Sequence, residues 1–310
     1  MSVDHILTLV LGLALAGLGG ELFVRGAVGI AGALRIAPGI VGATVAAFAT
    51  SSPELAVAIG SALSGEPELA LGDALGSNVV NVGLVLGVAV LVGPIRVGGG
   101  TISRDLAAAI AIPIVTVVLA QDGQLGRPDA LVLLAVFTLW LGATLVEARR
   151  ERSAAPEVLG ESTLRRAGPA GLLGLLLLVA AGRLIVSGAR GVGDDLGLDV
   201  FVVGVVLVAI GTSTPELATA VIARLRGHEE IGLGTVLGSN VYNGAVIVPV
   251  AALIAPITIA WSEIAVSLAY GIAVVTLVTP VFGHVLGRRR GAALVLLYAS
   301  SVLTLLVTSG

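Results

Sequence analysis

The 310-residue chain has no cysteine and no lysine; all 17 of its basic residues are arginine. The absence of cysteine excludes disulfides and thiolate metal sites and leaves the redox compartment unreadable. The absence of lysine reads as a coding bias and carries no functional weight. Charged residues make up 12% of the chain and aromatics 3%, where an average soluble domain carries about 25% charged residues. That is too little polar surface for a water-soluble fold of this length. The net charge of −3 offers nothing to a nucleic-acid partner. Of the residues soft metals prefer, the chain has one methionine and three histidines, and His5, His228 and His284 all fall near predicted helix ends.

What is abundant is apolar. Hydrophobic residues reach 56%, and there are 43 glycines, the composition of close-packed helices in a bilayer. A spanning helix takes about 20 predominantly apolar residues. That length predicts ten spans, near residues 6–33, 38–63, 69–92, 105–121, 128–148, 168–190, 199–223, 230–254, 261–282 and 291–309. The apolar run after Met1-Ser2-Val3-Asp4-His5 lacks a basic n-region and a cleavage site, so it is expected to be the first span rather than a signal peptide.

Arginines fall on alternate connections. One side holds Arg35, then Arg96 and Arg104, then Arg149, Arg150, Arg152, Arg165 and Arg166, then Arg224 and Arg226, then Arg288, Arg289 and Arg290. The other holds Glu66 and Glu68, then Arg127, then Asp194, Asp195 and Asp199. The bias of arginine toward the cytoplasm places both termini on the extracytoplasmic side of a cell inner (plasma) membrane.

The chain repeats itself. Thr50-Ser51-Ser52-Pro53-Glu54-Leu55-Ala56 returns as Thr212-Ser213-Thr214-Pro215-Glu216-Leu217-Ala218. Leu75-Gly76-Ser77-Asn78-Val79-Val80-Asn81 returns as Leu237-Gly238-Ser239-Asn240-Val241-Tyr242-Asn243. The offset is 162 throughout (216 − 54, 239 − 77, 243 − 81), and it holds at Gly42/Gly204, Gly65/Gly227 and Gly72/Gly234. The expected division is a first repeat at 1–148, a cytoplasmic linker at 149–167 and a second repeat at 168–310. With five helices per half, the second half enters the membrane inverted. Inverted repeats of this kind are typical of secondary transporters, with the substrate site at the repeat interface near the midplane.

Each repeat carries its chemistry mid-membrane. Pro53 and Pro215 lack an N–H and obstruct the carbonyl one turn earlier, so helices 2 and 7 are expected to break there. A carboxylate at a helix centre costs about 2.5–3.5 kcal/mol on insertion scales, and Glu54 and Glu216 place one at the same point of each half. The hydroxyls of Thr50, Ser51, Thr212 and Ser213 stand beside them. Ser77 and Asn81, and Ser239 and Asn243, are i,i+4 pairs sharing a helix face. Asn78 and Asn240 sit on a neighbouring face, where holding the broken helix by hydrogen bonds is the alternative role. Gly76 and Gly238 would admit another backbone. Carboxylates, hydroxyls, amide oxygens and freed carbonyls together suit hard cations such as Na⁺ and Ca²⁺. No histidine reaches Ser51 or Ser213, so enzyme chemistry is not expected and no cofactor is implied. Two carboxylates balance one Ca²⁺.

Asp73 shares the face of Ser77 and Asn81. Two readings stand, a cation attractor at the outer mouth or an acid favoured in a helix's first turn. Glu21 and Arg183 are repeat-equivalent, but inversion puts them on opposite sides of the midplane, so Glu21 is expected to pair with Arg25.

The two motifs resemble the α-repeats of the sodium/calcium exchanger family, among the calcium:cation antiporters. The likeness covers the whole chain and implies an all-α integral membrane fold of ten helices as two inverted five-helix repeats. It implies four clustered cation sites that alternate between one Ca²⁺ and about three Na⁺. Carried over, Glu54 and Glu216 share the Ca²⁺. Ala47, Thr50, Ser51 and Ser77 serve one flanking Na⁺ site, and Ala209, Thr212, Ser213 and Ser239 the other. Asn81 and Asn243 complete the middle, and helices 1 and 6 slide as a gate. Two positions depart from the pattern. Ala49 stands where the second repeat has Gly211, and Asn243 where some bacterial members carry Asp. The resemblance implies Na⁺/Ca²⁺ antiport by alternating access. Ca²⁺/H⁺, K⁺-dependent or other divalent exchange is the alternative, and a channel a more distant one. A monomer in lipid is expected, with a dimer left open.

Overall fold

The computed structural model describes residues 3–65, 67–97, 100–154, 161–195, 213–259, 261–280 and 284–308. They form an all-α membrane protein. The helices are α1 (Val3–Leu34), α2 (Pro38–Val41), α3 (Ala47–Thr50), α4 (Ser52–Leu63), α5 (Pro67–Val79), α6 (Gly87–Val92), α7 (Gly100–Leu119), α8 (Arg127–Ala154) and α9 (Glu161–Asp195). They continue with α10 (Thr214–Leu225), α11 (Glu229–Tyr242), α12 (Val248–Ile254), α13 (Trp261–Val278) and α14 (Arg288–Thr308). Short π-helical turns at Gly42–Ala46, Val80–Leu86 and Asn243–Ile247 join α2 to α3, α5 to α6 and α11 to α12. The predicted seventh span begins outside the described residues, which resume at Ser213.

Among the described residues, five stretches are individually long and apolar enough to cross a bilayer: Val3–Leu34, Ala70–Val92, Ile102–Asp122, Arg127–Arg150 and Glu229–Ile254. Their outer faces are greasy: Leu139 is 75% exposed and Leu18 62%. Water would penalise such surface, whereas lipid solvates it. Helices α8 and α9 run past their expected spans to Ala154 and from Glu161. Arg, Glu and Ala at those ends are good helix formers, so the helices continue beyond the apolar core.

The halves interlock. Helix α11 packs along the first half's α2, α3 and the π turn between them. A Cβ on Gly42 would meet the Ile231 carbonyl at 2.5 Å, and one on Gly238 would collide with the Ala43 backbone. The close approach foreseen at Gly238 is therefore present. At Gly76 no described atom lies within 4 Å of that position. Helices α1 and α9 pack against each other along their length and touch the rest chiefly through α10 and α2. Glu21 on α1 pairs with Arg25 (2.5 Å), as expected, and also with Arg226 of the second half (2.8 Å).

Two small ladders were not foreseen. β1 (Ile95–Arg96) pairs antiparallel with β4 (Val285–Leu286), and β2 (Gln124–Leu125) with β3 (Ile257–Thr258). Each joins one half to the other, and Ile95–Leu286 mirrors Ile257–Leu125, with the offset 162 at the isoleucines and 161 at the leucines. Each ladder belongs to a separate apolar core, one containing Ile95 and Leu286, the other Leu125 and Ile257. Arg290 turns inward to donate to the Leu277 carbonyl (2.7 Å) and the Thr279 carbonyl (2.9 Å) at the end of α13, a helix-terminus cap. Arg288 and Arg289 remain exposed, as a membrane-surface anchor requires.

Gly238→Leu should cost about 3 kcal/mol or more, the top of the overpacking range, because backbone cannot yield as a side chain can. Gly60→Leu, at an exposed position, should cost far less. Thermal unfolding in detergent compares the two.

A candidate cation site between the repeats

Both proline motifs break their helices as expected, and they do so alike. The chain leaves helical geometry at Ser51 (φ −85°, ψ 7°) and at Ser213 (φ −82°, ψ 9°), one residue before α4 and α10 begin. Pro53 and Pro215 then sit second in the new helices, within the first turn, where a missing N–H has no intrahelical acceptor to lose. Glu54 and Glu216 follow in the first turn of the new helices, where the helix dipole favours negative charge or a cation's counter-ligand.

The predicted residues are buried together. Thr50, Ser51, Glu54, Ser77 and Asn81 of the first half, and Ser213, Glu216, Ser239 and Asn243 of the second, are each at most 2% exposed. Ser239 donates to Glu216 Oε1 at 3.3 Å. From the other half, Thr50 and Ser51 lie beside the same Glu216 carboxylate. The Glu54 carboxylate feels the charges of Glu216 and Asp73. Ala47 is fully buried, and its carbonyl accepts from the Ser51 N–H at 3.0 Å and the Thr50 hydroxyl at 3.4 Å. Ala209 and Thr212 lie outside the described residues.

The amides cross between halves. Asn81 Nδ2 donates to Asn240 Oδ1 (3.2 Å), and Asn243 Nδ2 donates to Asn78 Oδ1 (3.0 Å). These two bonds are one bond applied twice, since both residues shift by the repeat offset. Asn240 adds a bond to the Asn78 carbonyl (3.1 Å). Among the described residues, Asn78 and Asn240 therefore hold the amides of Asn81 and Asn243. The π turns carry or directly follow these residues: Asn81 lies in Val80–Leu86, and Asn243 opens the turn Asn243–Ile247. Such turns shift side-chain direction within a helix and recur at functional sites.

With the amide nitrogens committed, oxygens are left over. Among the described residues, Glu54 Oε2, Glu216 Oε2, Asn81 Oδ1, Asn243 Oδ1 and the hydroxyls of Ser51, Ser77 and Ser213 are buried without hydrogen-bond partners. Buried polar groups are nearly always paired. A set of unpartnered acceptors from both repeats is what a hard, dehydrated cation requires.

One feature escaped the sequence reading, and one reading needs correction. Thr219 is fully buried with an unpartnered hydroxyl, one turn past Glu216. Its equivalent is Val57, so the repeat could not flag it; a hydroxyl in an apolar helix was the only signal. Asp73 lies seven residues into α5, past the first turn, whose acid is Glu68. The first-turn dipole reading of Asp73 therefore fails.

The fold and this site define a membrane transporter built around an interior cluster of oxygen ligands. The pattern of the family described as Sodium/calcium exchanger protein matches residues 5–146 and 170–307. The chain belongs to that family and is a multi-pass membrane antiporter. It is 34% identical over 230 residues to the inner membrane protein YrbG of Escherichia coli, covering 71% of each chain. To the sodium/calcium exchanger MaX1 of Methanosarcina acetivorans it is 26% identical over 352 aligned positions, 98% of this chain and 99% of that one. Among solved structures, the sodium-calcium exchanger NCX_Mj soaked with 100 mM Na⁺ and 10 mM Sr²⁺ superposes with a TM-score of 0.85 at 27% identity, over 98% of this chain and 99% of that one.

Asn240→Ala removes the acceptor of Asn81 and a donor to Asn78. It should destabilise the protein by about 1–3 kcal/mol, the usual cost of stranding buried polar partners. A thermal midpoint equal to wild type would show that the crossed amides hold nothing.

Proposed function

We propose that the chain exchanges Na⁺ for Ca²⁺ by alternating access across a cell inner membrane, as a monomer with both termini extracytoplasmic. The observation that carries this reading is the set of seven buried oxygens with no partner among the described residues, six of them in the symmetric pairs Glu54/Glu216, Asn81/Asn243 and Ser51/Ser213. In this reading Glu54 and Glu216 share the Ca²⁺. Ala47, Thr50, Ser51 and Ser77 form one Na⁺ site, and Ala209, Thr212, Ser213 and Ser239 the other. The two repeats, 1–148 and 168–310, are joined by the 149–167 segment on the cytoplasmic side.

The chemistry follows from charge balance. One Ca²⁺ neutralises the two carboxylates, and its shell is completed by neutral oxygens. Na⁺, of nearly the same size but half the charge, accepts the same oxygens. It must therefore occupy several positions to balance the acids. Both ions cannot fill the site at once, and competition for one ligand set is what couples their fluxes. With about three Na⁺ per Ca²⁺, one positive charge moves per cycle. The arginine distribution supports the orientation, and a name such as that of the inner membrane protein YrbG supports the location.

Proteoliposomes loaded with Na⁺ should accumulate ⁴⁵Ca²⁺ when diluted into Na⁺-free buffer, and an inside-positive potential should speed that uptake. Uptake that follows a proton or K⁺ gradient and ignores Na⁺ would instead assign the alternative exchange. Non-saturating flux without counterflow would assign a channel. Glu54→Gln and Glu216→Gln should each lower Ca²⁺ uptake at least about 100-fold, because each strands a divalent ion with one counter-charge.

A further inference from the structure

The repeat is broken at one charged position beside the site. Asp73 and Thr235 are equivalent (235 − 73 = 162), each four residues before the site serine of its helix, Ser77 or Ser239. Thr235 is fully buried, and its hydroxyl donates to the Ile231 carbonyl of its own helix at 2.8 Å. It is self-satisfied and neutral. Asp73 is partly exposed, yet its Oδ2 is buried without a hydrogen-bond partner. No described arginine pairs with it, since the ion pairs among the described residues involve Glu21, Asp105 and Glu147.

Position along the helix gives Asp73 its meaning. At 1.5 Å per residue it stands about 9 Å past the start of α5 and about 6 Å before Ser77. It therefore lies between the Ser64–Gly65 turn, at one end of the bundle, and the level of Ser77. Its charge reaches Glu54, which is 2% exposed and itself has an unpartnered oxygen. Two like charges held close in a bilayer repel, and a cation between them relieves both. Because the halves are inverted, the equivalent level on the opposite side of the site holds the buried Thr235 in place of a carboxylate.

We propose that Asp73 is a cation-recruiting site at the Ser64–Gly65 mouth, shared by Ca²⁺ and Na⁺ on their way to Glu54, and that its absence from the opposite mouth makes the exchanger sided. This rests on the antiport reading above. Midway to the site, a cation meets a carboxylate on one side and, at the equivalent level of the other, the neutral hydroxyl of Thr235. The face with Asp73 therefore half-saturates at lower cation concentration.

The chain lacks cysteine, so Ser64→Cys labelled with a membrane-impermeant maleimide identifies which face carries this mouth in right-side-out and inverted vesicles. The Ca²⁺ concentration for half-maximal Na⁺-driven exchange is then measured at each face. Asp73→Asn should raise it about tenfold at the labelled face and leave the opposite face unchanged. Asp73→Thr, which copies the second repeat, should bring the two faces toward equality. Asp73→Glu should keep most of the difference. An unchanged value at both faces, or an equal rise at both, overturns the proposal while leaving the antiport reading intact. If wild-type vesicles show no Na⁺-driven Ca²⁺ flux at all, both readings fall. Should Asp73→Asn fail to accumulate, Asp73→Glu and Asp73→Thr still decide, since only the charge differs in the expected direction.

Discussion

Everything in this molecule is arranged around a shortage of protons. At the interface of the repeats, carboxylate, amide and hydroxyl oxygens are gathered that have no hydrogen-bond partner among the described residues. In a low-dielectric interior such a gathering is unfavourable by itself. It persists because the surrounding elements leave the oxygens nowhere else to turn. The helix breaks at Ser51 and Ser213 set the acids at fresh helix starts. The crossed asparagine bonds turn each amide nitrogen toward the opposite half and each remaining oxygen inward. A satisfied network would be more stable and would bind nothing.

Symmetry is what lets two short motifs do this. One bond, Asn81 to Asn240, implies its mirror, Asn243 to Asn78, and one helix break implies the other. The places where symmetry lapses are therefore informative. Ser239 donates to Glu216 at 3.3 Å, whereas Ser77 has no partner. Thr219 faces Val57 across the repeat, and Asp73 faces Thr235. Two identical halves would present the same surface to both sides of a membrane; these substitutions are where the two sides can differ.

Much of this was legible in the residue string, for physical reasons. Glu54, Glu216 and the serines and asparagines stood out because polar atoms are costly in an apolar helix, and the constant offset tied them together. The breaks at Pro53 and Pro215 followed from the missing N–H. The π turns were invisible, because a shift in hydrogen-bond partner leaves no mark in apolar periodicity. The role of Asn78 and Asn240 depended on those turns and so was open between two readings. The ladders were missed because two-residue strands lie below any period, although Pro94-Ile95 and Pro256-Ile257 repeat at the same offset. The Glu21–Arg226 pair escaped because it links a helix of one half to a turn of the other, at unrelated positions in the repeat.

The two ladders have a mechanical consequence. Each stitches one half to the other, and each anchors its own apolar cluster through Ile95 and Leu286, or Ile257 and Leu125. Prising the halves apart like a clamshell would tear both seams and unbury four aliphatic side chains. The long pair α1 and α9 is sewn into neither seam. The scaffold is thus a stapled block, and the α1–α9 pair is held against it by side-chain packing and the Glu21–Arg226 ion pair in place of backbone bonds.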